Sequence, residues 1–113
     1  MIVGKFVEEL SLKTLTGQDH LQRNVSAVYC SDVLSRVMAK GIKDCLWITV
    51  QNHMNVIAIA VLHEMSCIVI PEDIAVDERV LVKAEEEQVI VLTSPLSAYT
   101  IAGKLYALGV PSI

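Results

Sequence analysis

Basic residues are few: nine Lys and Arg stand against thirteen Asp and Glu, for a net charge of −4. They are scattered along the chain and form no stripe, which excludes binding driven by neutralising nucleic-acid phosphates. Aromatics are scarcer still, limited to Phe6, Tyr29, Trp47, Tyr99 and Tyr106. Any core must therefore be built from Val, Ile, Leu and Ala. The cysteines Cys30, Cys45 and Cys67 are odd in number and include no C-x-x-C pair. Each sits in or beside an apolar run, which predicts buried, reduced thiols in a cytoplasmic protein and no disulfide framework. His20, His53 and His63 are far apart in sequence, so no metal site is expected.

Cofactor and catalytic signatures are missing as well. There is no G-x-G-x-x-G and no G-x-S-x-G around Ser94 or Ser97. Gly103-Lys104 is followed by Leu105, where a phosphate loop needs Ser or Thr. The spacing places Gly103 inside a helix, as a small residue for close helix packing. No cofactor and no catalytic residue is predicted. Residues 1–10 carry Glu8 and Glu9 and no basic start, unlike a signal peptide. The longest apolar stretch, 56–62, is too short to span a bilayer. No membrane or nucleic-acid partner is expected.

What is present is apolar: 53% of 113 residues are hydrophobic and 19% charged. A single domain over 1–113 of this size buries roughly 65% of its unfolded surface, and such a composition leaves apolar area for a partner. Val3, Phe6, Val7 and Leu10 repeat at helical spacing. A short strand is predicted over 12–15, a loop over 17–23, and a strand over 25–30. Ser31 is positioned to cap a helix with Val33, Leu34, Val37 and Met38 on one face, ended by Gly41. Residues 46–50, Leu-Trp-Ile-Thr-Val, form the clearest strand. The following helix, capped by Asn52 and running to His63, is apolar on every side. It belongs wholly in the core, or half in the core and half in a subunit interface. A strand over 67–70 stops at Pro71. Asp77 caps a helix to about Glu87, with Val80, Leu81 and Ala84 inward, and the run Glu85–Glu87 is its solvated end. A strand over 89–92 precedes a last helix capped by Thr93 or Ser94, with Pro95 in its first turn.

This order, with uninterrupted apolar strands, predicts an α/β fold: a mainly parallel, mixed sheet of about five strands with helices on both faces. In such sheets ligands bind beyond the carboxyl ends of the strands. The residues there are Ser31 and Asp32; Gln51, Asn52, His53 and Asn55; and Thr93, Ser94 and Ser97. Helix N-termini pointing into one region favour anions, so these nine are the candidate ligand-binding residues. Ser, Asp, Asn and Thr are also ordinary helix caps, expected there without a ligand, but the four polar groups of the run Gln51-Asn52-His53-Met54-Asn55 exceed what one cap needs. Arg23 is positioned to bind an anion or to pair with a neighbouring acid.

The stretches Leu15-Thr16-Gly17, Leu21-Gln22-Arg23-Asn24-Val25 and Tyr29-Cys30-Ser31-Asp32-Val33-Leu34-Ser35 resemble the opening of a DRTGG domain. Residues 46–56, from Leu46-Trp47-Ile48 through Gln51-Asn52-His53, resemble that family's central strand and helix start. Residues 90–99, Ile-Val-Leu-Thr-Ser-Pro-Leu-Ser-Ala-Tyr, resemble its last strand and turn. The likeness runs over about residues 1–109, although the letters that name the family do not occur contiguously here. It implies a fold similar to the N-terminal domain of HPr kinase/phosphorylase, whose catalytic phosphate loop lies in a separate domain. It also implies a regulatory module of the kind that accompanies CBS domains in nucleotide-regulated pyrophosphatases, and homodimerisation.

The expectation is thus a non-enzymatic, homodimeric module that binds a nucleotide or another small phosphorylated anion. The alternatives are an adaptor docking on a larger enzyme or sensor kinase, and a small enzyme with His53 as general base near Ser94.

Overall fold

The computed structural model describes residues 1–113. Five helices and five strands follow in the order α1 (Val3–Leu10), β1 (Lys13–Thr16), β2 (Ala27–Cys30), α2 (Leu34–Lys40), β3 (Cys45–Ile48), α3 (Met54–His63), β4 (Cys67–Ile70), α4 (Glu78–Glu86), β5 (Val91–Thr93) and α5 (Ala98–Ala107), with a single 3-10 turn at Gln18–His20 between β1 and β2. The sheet order is β1-β5-β4-β3-β2. Strands β2 to β5 run parallel, and β1 pairs antiparallel with β5. This is the mixed α/β sheet expected from the chain.

All eight residues of β3 and β4 are buried. Successive side chains on a strand point to opposite faces, so two cores form. On one face Leu46, Ile48, Cys67, Val69 and Leu92 meet Val3, Phe6 and Leu10 of α1 and Ile101 and Leu105 of α5. On the other, Trp47, Ile68, Ile70 and Val91 meet Val37 of α2, Val56, Ile57 and Ala60 of α3, and Val80 and Ala84 of α4. Each large side chain so buried contributes roughly 1.5–3 kcal/mol. The buried Trp47 indole N–H donates to the Ser31 carbonyl at 2.9 Å, so its polar atom is satisfied.

Two sequence expectations change. A Cβ on Gly103 would meet nothing within 4 Å, so no helix packs closely there, and the glycine costs the helix about 1 kcal/mol against Ala without packing return. Cys45 and Cys67 are buried as expected, but Cys30 is exposed. Burial pushes the Cys67 and Cys45 thiols up, which leaves them inert. The helix α3 is core on one side only: Met54, Val61 and Leu62 are exposed.

Where β1 ends, its pairing with β5 shifts register between Thr14 and Thr16. The Thr16 hydroxyl fills the gap, donating to Val89 O at 2.8 Å and accepting from Val91 N at 3.0 Å. Gly17 follows with φ +76°, and a Cβ there would lie 2.9 Å from the Ile90 Cα. Its N–H donates to the Glu85 carboxylate at 2.6 Å, so Glu85 ties the end of α4 to this turn and is more than a solvated charge. Replacing Gly17 with Ala combines left-handed strain with a backbone clash and is expected to cost about 2–4 kcal/mol in urea unfolding. A loss below about 0.5 kcal/mol would contradict the turn's tightness.

Candidate functional site

Because β2 to β5 are parallel, their carboxyl ends share one edge of the sheet. The N-termini of α2, α3 and α4 reach the same edge on one face, while α5 begins on the opposite face. All nine candidate residues lie at or just beyond these strand tips, but they separate into distinct groups.

Asp32 organises the first group. Its carboxylate accepts from the Thr49 hydroxyl at 2.9 Å and from the Val50 N–H at 2.8 Å. Gln51 donates from its side chain to the Asp32 carbonyl at 3.0 Å and from its backbone to the Thr49 hydroxyl at 3.1 Å. Asp32, Thr49 and Gln51 therefore weld the β2 and β3 tips together, with the carboxylate oxygen already holding two donors. Thr49 lay outside the candidate set, although its place in the β-branched run at the strand's end was the available signal. Ser31 does not cap α2. Its hydroxyl accepts from Val33 N at 3.3 Å, and Val33 is the capping position.

The β5 tip is similarly occupied. Thr93 donates to Ile70 O at 3.1 Å and Ser94 accepts from Leu96 N at 3.1 Å. The cap of α5 is Ser97, not Thr93 or Ser94; it accepts from Thr100 N at 3.2 Å. Pro95 consequently lies in the turn before the helix. Above this tip the β4–α4 loop is strapped down, with Glu72 N donating to Leu96 O and Asp73 N to Ser94 O. His53 and Ser94 thus belong to different tips, and no hydrogen bond joins them.

Asn52 and His53 open onto a hollow of about 560 Å³ lined also by Met54, Ala75, Asp77, Arg79 and Val80. It lies between the N-termini of α3 and α4. Asn52 is not the cap of α3; its side chain donates to Ala75 O at 2.6 Å, fixing one wall to the other. His53 takes the capping position without a side-chain cap bond, so the first N–H groups of α3 have no side-chain acceptor. Asp77 caps α4 as predicted, accepting from Arg79 N at 2.8 Å. The Arg79 guanidinium reaches the same carboxylate at 3.3 Å. Asn55 faces elsewhere, into a groove between α2 and α3 with Leu34, Met38, Ala58 and Leu62. Arg23 makes no ion pair; it lines a separate hollow with Lys43, Asp44 and Glu64, which lie where the chain enters β3 and leaves α3.

The hydrogen bonds from the Arg79 side chain and backbone hold the Asp77 carboxyl below the usual carboxylate range. A depressed folded-state pKa stabilises above the unfolded value and loses that contribution as pH falls through the folded one. The cap therefore weakens below about pH 4. In Asp77→Asn the amide oxygen still accepts but does not titrate. Acid titrations followed by urea unfolding should show the wild type losing more stability than the variant below that pH, and parallel curves would contradict this role.

The family model of the DRTGG domain matches residues 5–108. No curated protein matches significantly. Among solved structures, the chain is similar to the CBS and DRTGG domains of the regulatory region of Clostridium perfringens pyrophosphatase, determined in complex with its activator diadenosine tetraphosphate. The TM-score is 0.73 at 12% identity. The match covers 97% of this chain and 47% of that one, so this chain spans about half the length of the neighbour. At that identity the likeness is one of fold. No helix is long and apolar enough to cross a membrane.

Proposed function

The chain belongs to the DRTGG domain family, and from that premise we propose that it is a non-enzymatic regulatory module that binds a nucleotide or another small phosphorylated anion and acts as a homodimer. The observation that carries the ligand reading is the hollow between α3 and α4. Two helix N-termini face it, the α3 N-terminus has no side-chain cap, and Arg79 and His53 stand at its rim. Its volume of about 560 Å³ lies within the range of small-molecule sites. Arg79 would exchange its Asp77 partner for a phosphate, and Asn52 would keep the walls at a fixed distance. The non-enzymatic reading is supported by Asp32, Thr93, Ser94 and Ser97 being held in internal hydrogen bonds, none of which joins Ser94 to His53.

The test is a thermal shift with AMP, ADP and GMP, with adenosine and guanosine as phosphate-free controls. A nucleotide at 100 times its dissociation constant adds about 2.7 kcal/mol. The nucleotides should raise Tm, the nucleosides should do so less, and Arg79→Ala should abolish the difference. No shift with any nucleotide, or an unchanged shift in Arg79→Ala, would remove the ligand reading.

Homodimerisation draws support from the outer side of α2 and α3, where Met38 is 44% and Leu62 62% exposed, flanking a groove with Leu34 and Ala58. Sedimentation should give a dimer for the wild type and a monomer for Leu62→Glu. A wild-type monomer at micromolar concentration would overturn the dimer. The same surface would then favour the second reading, an adaptor that docks on a partner enzyme or kinase.

A further inference from the structure

On the opposite face from α3 and α4, a groove of about 420 Å³ runs between α5 and the edge strand β2. It is lined by Val28, Tyr29 and Cys30, by Tyr99, Ala102, Gly103 and Tyr106, and by Val110 and Ser112. Its oddity begins in the composition. The protein has only five aromatic side chains, yet Tyr99 is 89% and Tyr106 77% exposed, more than any other large hydrophobic residue. Both stand on α5 around Gly103, whose missing Cβ leaves open space. That glycine weakens the helix and is required by no contact within the chain, so what it provides is room between the two rings.

The shape and chemistry of the groove limit its occupant. Tyr99 and Tyr106 are separated by seven residues, or about 10.5 Å of helix rise. A helix about 10–12 Å across cannot sink between them. An added strand is excluded where the chain's own tail already pairs with β2: Val28 N donates to Pro111 O, and Ile113 N to Val28 O. No charged residue lines the groove, so a charged group would lose hydration without compensation. What remains is a flat, neutral body that can lie against a tyrosine ring, with the exposed Tyr99 and Tyr106 hydroxyls available for polar atoms at its edge.

We infer that the α5–β2 groove binds an uncharged planar heteroaromatic ring, the chemistry of a nucleobase, by stacking on Tyr99 and Tyr106 over the opening left by Gly103. The site is separate from the α3–α4 hollow and does not depend on it.

The test is an NMR titration of the full chain with adenosine, following tyrosine ring and backbone amide signals. Saturable shifts are expected at Tyr99, Tyr106 and Gly103, and AMP should bind these positions no more tightly than adenosine. Tyr99→Ala and Tyr106→Ala should each weaken binding at least about fivefold. Gly103→Ala should weaken binding while raising Tm, opposite signs that a purely structural glycine would not give. The inference is overturned by absence of saturable shifts at millimolar adenosine, by variants that bind like the wild type, or by shifts confined to residues 52–54 and 75–80. It is equally overturned if these tyrosine signals change with protein concentration alone, because a second copy of the chain then fills the groove.

Discussion

The complete burial of β3 and β4 governs the rest of the molecule. With Cys45–Ile48 and Cys67–Ile70 all shielded from water, neither face of the central sheet can be left open, and helices must cover both. Parallel neighbours require each chain segment to return to the starting edge before the next strand begins. The returning helices α2, α3 and α4 supply one cover, and α1 and α5 the other. Every crossover then starts at the same edge, which is why polar loop residues and helix N-termini collect there.

That edge is not uniformly available. Its outer tips are closed by their own side chains: Asp32 gathers the β3 loop, and Thr93 and Ser94 secure the β5 turn. The middle stays open because Asn52 spans to Ala75 instead of capping α3, which leaves the helix start uncovered beside Arg79. The only cation in that hollow is already shared with Asp77, so binding there would be an exchange of partners, sensitive to the charge of whatever enters.

The fold was legible because its strands are short, continuous apolar runs separated by helical periodicity. The strand at 67–70 and the Asp77 cap agree with the structure, since Pro71 and the acidic first turn are strong local signals. Boundaries elsewhere shift by a few residues: the structure begins β2 at Ala27 and β5 at Val91, because Val25 and Val89 are buried in the core while their N–H groups donate outside the sheet, to Met1 O and Ala84 O. Three helices are capped by residues other than the ones local sequence favours. Ser31 and Ser94 accept instead from the N–H groups of Val33 and Leu96, two residues on, and Asn52 donates to the distant Ala75 carbonyl, so Val33, His53 and Ser97 take the capping positions. Sequence cannot distinguish a glycine facing a neighbour from one facing open space, so Gly103 reads as a packing residue until its surroundings are seen. Arg79 was missed because its place beside His53 depends on how α3 and α4 lie together.

The proposed function rests on one physical idea, that the hollow between the α3 and α4 N-termini takes up an anion. The most direct measurement is a backbone-amide NMR titration with AMP. Amides 54–56 and 79–80 should shift together along one saturable curve. Contradiction would come from those amides staying unmoved while nucleotide binding is registered elsewhere in the protein.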